Sequence, residues 1–280
     1  MRRLSKAVAL VSLLIFLPAF GSVERFFAPD ADLWPRWQAH NPASRETIDH
    51  APWDALLARY VWPTSGGVNL VNYRTFALAD RATLANYIDY LASVHISQFN
   101  RDEQVAYWIN LYNAQTVKVV LDHSPVDSIR DINISPGLFT SGPWDKNLVT
   151  VEGQKLSLND IEHRILRPIW RDSRIHYAVN CASVGCPNLR TSAYRGASID
   201  QALNDAATAY VNDPRGVSIR DGKVTVSKIY DWFIEDFGGS ERAVIRHLQQ
   251  YAAPDLRERL AAIGKLSDTR YDWSINAAVE

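Results

Sequence analysis

The stretch from Asn100 to Asp122 constrains the fold more than any other. Its apolar set (Val105, Trp108-Ile109, Leu111-Tyr112, Thr116-Val117, Val119-Val120-Leu121) covers more than half the circumference of a helix. A helix apolar on that scale cannot lie on a surface, so other elements must close around it. The spacing predicts a central, deeply buried helix from Asn100 or Arg101 to Asp122, with Asn100 as cap and Glu103 in the capping-box position. Glu103, Asn110 and Asn113 are its polar exceptions. At 100° per residue Glu103 and Asn110 share a face, and Asn113 lies about a quarter turn away. Either Glu103 caps while the asparagines bond neighbouring loops, or the three form the polar floor of a pocket.

Around this helix the chain mixes helical periods with short hairpins. Helices are expected over 47–61, 77–97, 157–168 (opened by Ser157 and stopped by Pro168), 198–211, 227–237, 242–251 and 255–263. Val68 to Tyr73 reads as a strand. Hairpins are expected around Glu152-Gly153 and Asp221-Gly222. Arg174 to Val179 alternates like a strand, and Arg270 to Trp273 reads as a last edge strand. No regular βαβ repetition, linker or internal repeat divides the chain. The expectation is an α+β fold: a single domain, 47–280, of several helices packed on short antiparallel strands and hairpins. An extended arm, 22–46, precedes it.

Residues 1–21 read as a signal peptide: Arg2, Arg3 and Lys6 precede an apolar run from Ala7 to Phe20, and Ala19 and Gly21 offer the small residues of a cleavage site. Fourteen residues are short of the roughly 20 that span a bilayer. The expected location is therefore periplasmic or secreted, with membrane attachment only if this segment stays uncleaved. Without it, the 30 basic residues become 27 against 31 acidic ones. No basic block remains, so a nucleic-acid partner has no electrostatic support. A small-molecule or peptide ligand of unknown identity is the expected partner. Nine tryptophans and twelve tyrosines serve mainly as core and rim, with some available to line a pocket.

The chemistry concentrates where His176 precedes the two cysteines, Cys181 and Cys186, in a C-x4-C spacing on an irregular turn. The motifs of dinucleotide, P-loop, zincin and serine-hydrolase sites are absent. A zinc site from His163, His176, Cys181 and Cys186 can be drawn, but the spacing is a weak zinc pattern, and neither metal nor cofactor is expected. A nucleophilic Cys181 needs a nearby imidazole, positive charge or helix N-terminus. The N–H groups of Ala182 and Ser183 are candidates for facing an oxyanion. In a strand His176 would lie on the opposite face from Cys181, which makes His163, beside Glu162, the preferred base. Asp231, Asp236 or Asp272 could orient it. The competing reading is a structural Cys181–Cys186 disulfide, as an oxidising compartment favours.

Glu103-x-x-Ala106-Tyr107-Trp108-Ile109-Asn110-Leu111-Tyr112-Asn113-Ala114, then Ser157-Leu158-x-x-Ile161-Glu162-His163-x-x-Leu166-Arg167, then His176 through Cys181-Ala182-Ser183 to Cys186-Pro187, together resemble three signatures of one family. It is the domain-of-unknown-function family numbered 547. Ser227-Lys228-Ile229, Trp232, Asp236-Phe237 and Tyr271 to Asn276 fit the same pattern. The resemblance runs from about Leu33 to Asn276 and implies emphasis on Glu103, Asn110, Asn113, Glu162, His163, His176, Cys181, Ser183 and Cys186. It supplies no reaction. Gly185 departs from it, standing where serine is expected.

The sequence thus leads to an exported α+β domain with a cysteine-centred pocket performing acyl transfer (peptidase, amidase or transglutaminase-like). Cys181 is the expected nucleophile, His163 or His176 with Glu162 the base, and Asn110 a polar stabiliser. Glu103, Asn113, Ser183 and Asp236 complete the polar network. The alternative is a non-enzymatic envelope domain that binds a ligand or partner, stapled by Cys181–Cys186.

Overall fold

The computed structural model describes Arg25, residues 28–137 and residues 141–278. The expected signal peptide lies outside the described residues. Among those described, no helix is long and apolar enough to cross a membrane.

Helix α1 (Ala51–Tyr60) leads into the antiparallel pair β1 (Val61–Pro63) and β2 (Asn69–Val71). Helix α2 (Leu78–Ser93) packs on the central α3 (Arg101–His123). The latter is enclosed as its apolar breadth requires: all but one of its residues from Glu103 to Leu121 are buried, Lys118 being the exception. Asn100 caps it by accepting from Glu103 N at 3.0 Å. The Glu103 carboxylate does not complete a capping box. It reaches out of the helix to accept from Ile48 N at 2.7 Å, tying down the chain ahead of α1.

The hairpin of β3 (Val149–Val151) and β4 (Gln154–Leu156) turns at Glu152-Gly153 as expected. The helix that follows does not stop at Pro168. It runs as a π-helical segment, Asp160–Leu166, into α4 (Arg167–Trp170), and ends where Arg171 turns left-handed. Pro168 has no N–H to give the carbonyls a turn behind it. Those carbonyls, His163 O and Arg164 O, instead accept from Asp32 N and Trp34 N of the N-terminal arm, each at 3.0 Å. The proline is accommodated because the arm supplies the missing donors.

Arg174 to Val179 is not a strand. Ser173–Tyr177 is a 3₁₀ turn, started by the Asp172 carboxylate accepting from Arg174 N at 2.9 Å. Burial is unbroken from Ile175 to Asn180 because the segment bridges two clusters: Ile175 belongs to the apolar cluster around α3, and Tyr177 to a second one. That second cluster is built by α5 (Ile199–Val211), the hairpin β5 (Val217–Arg220)/β6 (Lys223–Ser227) and α6 (Ile229–Trp232). Helices α7 (Glu241–Tyr251) and α8 (Pro254–Ala261) complete it. A 3₁₀ turn, Ile234–Phe237, replaces the second half of the helix expected over 227–237.

The last strand, β7 (Asp268–Arg270), pairs parallel to β6, a departure from antiparallel order that the isolated Val71–Ala277 bridge shares. Tyr271 to Trp273 leave the sheet. The chain beyond laces onto the cysteine loop through Gly185 N to Asp272 O, Val184 N to Ser274 O and Asn276 N to Ala182 O, all 2.8–3.0 Å. The architecture is α+β, helices around small sheets, with the two clusters meeting at His176.

Candidate active site

The cysteine loop is held from beneath by α3. Asn113 accepts from Asn180 N at 2.8 Å and donates to Ala178 O at 2.9 Å, bracketing the main chain just before Cys181. Asn110 does the same to Tyr194, accepting from its N at 3.0 Å and donating to its O at 2.8 Å. Each amide thus spends a donor and an acceptor on backbone, and neither residue lines the cavity. Asn110 is placed to hold the Tyr194 backbone. Glu103, spent on Ile48 N, is not part of a pocket floor either.

Ala182 follows Cys181 in the left-handed region, φ +59°, a conformation costly for a residue with a Cβ. The turn is fixed by Asn180, whose side chain accepts from Ala182 N and donates to Pro187 O. The Ala182 N–H is therefore unavailable to an oxyanion, contrary to the sequence expectation. Gly185 explains its own departure from the family pattern: a Cβ there would sit 2.6 Å from Asp272 N. The closing segment presses too tightly on the loop for a side chain.

This folding sets Cys181 Sγ beside a relay of two hydroxyls. Ser183 Oγ lies 3.3 Å away and the Tyr271 hydroxyl 3.1 Å away, and Ser183 donates to Tyr271 at 3.1 Å. The Cys186 thiol beside it, with Ser183 and Tyr271, outweighs burial and holds the Cys181 pKa below the ordinary thiol range. Burial pushes the Cys186 thiol well up. The two cysteines are unbridged. Cys186 Sγ accepts from Cys181 N at 2.9 Å and is turned toward Val179 O, so the bridge considered from the sequence is not formed here.

The histidines reverse their expected order. His163, the preferred base, has Nδ1 2.9 Å from Arg167 Nη1. A guanidinium only donates, so Nδ1 accepts and the His163 proton sits on Nε2. Burial, then the Arg167 charge, keep the ring neutral, its pKa well below the usual histidine value. His176 is placed on the 3₁₀ turn, where the strand argument against it does not apply. Its Nε2 is 2.7 Å from Asp236 Oδ2 and its Nδ1 is 3.8 Å from Glu162 Oε1. Phe233 stacks on the ring at 4.5 Å. Asp236 also accepts from Arg167 Nε at 2.6 Å. Burial raises its pKa, but His176 and Arg167 together overcome this and hold it well below the carboxylate range.

Glu162 completes the arrangement. Burial lifts its pKa to about 7, against the Arg167 charge and a hydrogen bond from Tyr112. It stands beside the Cys181 thiolate closely enough to feel its charge. A protonatable carboxyl, backed by an imidazole and an ionised aspartate, thus shares a cavity of about 370 Å³ with an acidified thiol. Tyr112, Trp144, Trp232, Phe233, Tyr271 and Trp273 are the aromatic part of its wall. The arm closes one side with Pro29, whose carbonyl accepts from Arg167 Nη1 at 2.7 Å.

Of the sequence candidates, Cys181, Cys186, Glu162, His163 and His176 line this cavity. Ser183 and Asp236 act one contact behind, and Asn110, Asn113 and Glu103 hold the scaffold. Asp272 orients no histidine; its carboxylate accepts from Ser274 N. Tyr271 and Tyr112 were missed as functional groups. Tyr271 opens the closing signature and Tyr112 sits inside the first, so the pattern contained both, but neither has sequence neighbours of catalytic type. Among the described residues, no group of three or more His, Cys, Asp or Glu side chains is disposed to hold a metal ion.

Fold and site define an α+β domain with a cysteine-centred cavity. The family described as "Protein of unknown function, DUF547" matches residues 96–211, and over that stretch the chain resembles it. The match takes in α3, Glu162-His163, His176 and both cysteines, and leaves Asp236 and Tyr271 outside. No curated protein and no solved structure matches the chain.

Proposed function

We propose that the protein is an exported thiol-dependent acyl-transfer enzyme or hydrolase acting on a small-molecule or peptide substrate. Cys181 attacks the acyl carbon. Glu162, protonated in part near neutrality, gives its proton to the leaving group and stays a carboxylate for the second half-reaction, held in place beside His176, which Asp236 orients. In the second half-reaction Glu162 takes a proton from water or an acceptor alcohol or amine as it attacks the thioester. Once the thiolate charge is gone, the Tyr271 hydroxyl, which accepts from Ser183, is released from sulfur to donate to the oxyanion.

The observation that carries this reading is the meeting of two shifted groups in one cavity: a thiol pulled down and a carboxyl pushed up. Pairs of titratable groups moved in opposite senses are a mark of acid–base sites. Export rests on the amino-terminal sequence alone.

The test is acylation by p-nitrophenyl acetate. A burst of nitrophenolate, with the acetyl group located on Cys181 by mass spectrometry and lost in Cys181→Ser, is the expected result. Acetylation scattered over lysines at equal rate in Cys181→Ser would overturn it, and would favour a non-enzymatic ligand-binding domain.

A further inference from the structure

The acyl-transfer reading uses Cys181 and gives Cys186 no bond to make or break, only a contact with the reactive residue. Cys186 is nonetheless placed with care. Its side chain is buried and reaches the floor of the same cavity. Its sulfur accepts the N–H of Cys181 at 2.9 Å, so it lies against the backbone of the reactive residue. Four residues separate the two, and their conformation is fixed at both ends: Ala182 in the left-handed region with its N–H on Asn180, Gly185 wedged on Asp272. The loop holds the second sulfur beside the first rather than leaving it to chance.

We propose that Cys181 and Cys186 are the attacking and resolving thiols of a pair that reduces organic hydroperoxides. The Cys181 thiolate attacks the distal oxygen of R–O–OH. The O–O bond breaks, sulfur gains the hydroxyl as a sulfenic acid, and the alkoxide leaves and is protonated to R–OH. The Cys186 thiol then attacks the sulfenic sulfur. An S–S bond forms, and the displaced hydroxide leaves with the Cys186 proton as water. Peroxide is reduced by two electrons and the two thiols are oxidised by two. A dithiol reductant returns the pair to thiols by exchange.

Three features of the cavity match this chemistry. Cys181 is partly exposed to the cavity and so reachable, and Cys186 is sheltered from direct attack. The Tyr271 hydroxyl, 3.1 Å from Cys181 Sγ and itself accepting from Ser183, is the donor for the peroxide oxygens and the departing alkoxide. Beyond them Tyr271, Trp232 and Trp273 form one aromatic wall with ring centroids 4.7–5.7 Å apart, an apolar surface for the organic group. That wall selects an alkyl or aryl hydroperoxide over hydrogen peroxide. The acidified thiol is what such an attack needs.

The proposal shares its nucleophile with the acyl-transfer reading but not its outcome. Fully reduced protein is mixed with cumene hydroperoxide, quenched in acid, alkylated and mapped by mass spectrometry; cumyl alcohol is measured alongside. The expected result is one Cys181–Cys186 bridge and one alcohol per chain, reversed by dithiothreitol. Cys186→Ser should instead accumulate a dimedone-reactive sulfenic acid on Cys181. Tyr271→Phe should slow peroxide consumption about tenfold, the cost of one strong hydrogen bond at the transition state. Cumene hydroperoxide should outpace hydrogen peroxide by at least about tenfold on the wild-type chain. Wild-type Cys181 trapped as sulfenic or sulfinic acid while Cys186 stays alkylatable would overturn the proposal, without touching the nitrophenyl acetate result. Bridge formation in a chain that never acetylates Cys181 would leave this proposal standing and remove acyl transfer.

Discussion

Arg167 Nη1 donates to His163 Nδ1 across 2.9 Å, and that single bond decides which histidine handles protons. With its lone pair occupied and its proton on Nε2, His163 has nothing with which to deprotonate a thiol. His176 has the opposite arrangement: Nε2–H donates to ionised Asp236 and the Nδ1 lone pair faces Glu162 at 3.8 Å. His176→Gln should therefore lower the single-turnover acetylation rate of Cys181 by about 10²–10⁴, the usual worth of a general acid–base group. His163→Gln keeps an acceptor for Arg167 and should cost less than about tenfold. Equal losses in the two variants would refute the assignment.

Glu162 should make the protein less stable as the pH rises. In the unfolded chain its carboxyl ionises near 4.5; in the fold it keeps its proton to about 7. Between those values the folded state binds more protons than the unfolded. Its stability then falls with rising pH and levels off above about 7. The accumulated cost is roughly 3 kcal/mol. Glu162→Gln removes it, so urea unfolding at pH 8 should find the variant more stable than wild type by up to that amount, with the advantage shrinking toward pH 5. A catalytic group that the fold would be more stable without is the expected signature of a site that trades stability for activity. An unchanged difference across pH would show that the Glu162 proton is not linked to folding.

The Cys181 donors make a separate prediction. Ser183→Ala and Tyr271→Phe each remove a hydroxyl from the sulfur, at 3.3 and 3.1 Å. Each should move the thiol pKa upward, toward the ordinary value, because Tyr271 donates to the anion and Ser183 strengthens that donor by donating to Tyr271. The pH dependence of iodoacetamide alkylation reads this directly. His163→Gln should leave the midpoint in place, since no imidazole touches the sulfur among the described residues.

Asn113→Ala tests the scaffold. It deletes the acceptor for Asn180 N and the donor for Ala178 O in a buried setting. Each orphaned backbone group costs about 1–3 kcal/mol, so denaturation should show a loss of roughly 2–6 kcal/mol. The released loop should also let the Cys181 pKa relax upward. Asn110→Ala should cost similar stability through Tyr194 yet leave the thiol's titration in place, because its bracket lies away from the cysteine loop.

These residues also show what the sequence could and could not disclose. The two hairpins were legible because Glu152-Gly153 and Asp221-Gly222 carry their own turn chemistry. The central helix was legible because its apolar surface leaves no alternative to burial. The cysteine loop and Glu162 were identifiable as residue types gathered in motifs. Their partnerships were not, since each depends on distant segments. The 3₁₀ turn at His176 rests on Asp172 and on two clusters meeting, and alternation alone mimicked a strand. Tyr271 reaches Cys181 across ninety positions, only because the tail pairs with the loop's backbone. The choice between histidines needed the direction of one guanidinium.

The π-helical segment was the least legible feature, and it yields the last prediction. Regular α-helix would place Glu162 and His163 about 100° away from their present direction for each residue of register lost. Two elements hold the wider register. Pro168 withholds the N–H that would draw Arg164 O into an α-type bond. The arm fills the vacated carbonyls through Asp32 N and Trp34 N. Pro168→Ala restores the donor and sets it in competition with the arm. The variant should remain folded, within about 1 kcal/mol of wild type, because alanine suits a helix and the site tolerates either residue sterically. Cys181 should keep its lowered pKa, since its donors come from the loop and the tail. Acetyl transfer should nevertheless fall sharply as Glu162 turns from the cavity, and amide exchange at Asp32 and Trp34 should quicken as the arm loses its acceptors. Full activity with unchanged exchange would mean that the arm alone fixes the register, and that the proline is there only to end the helix.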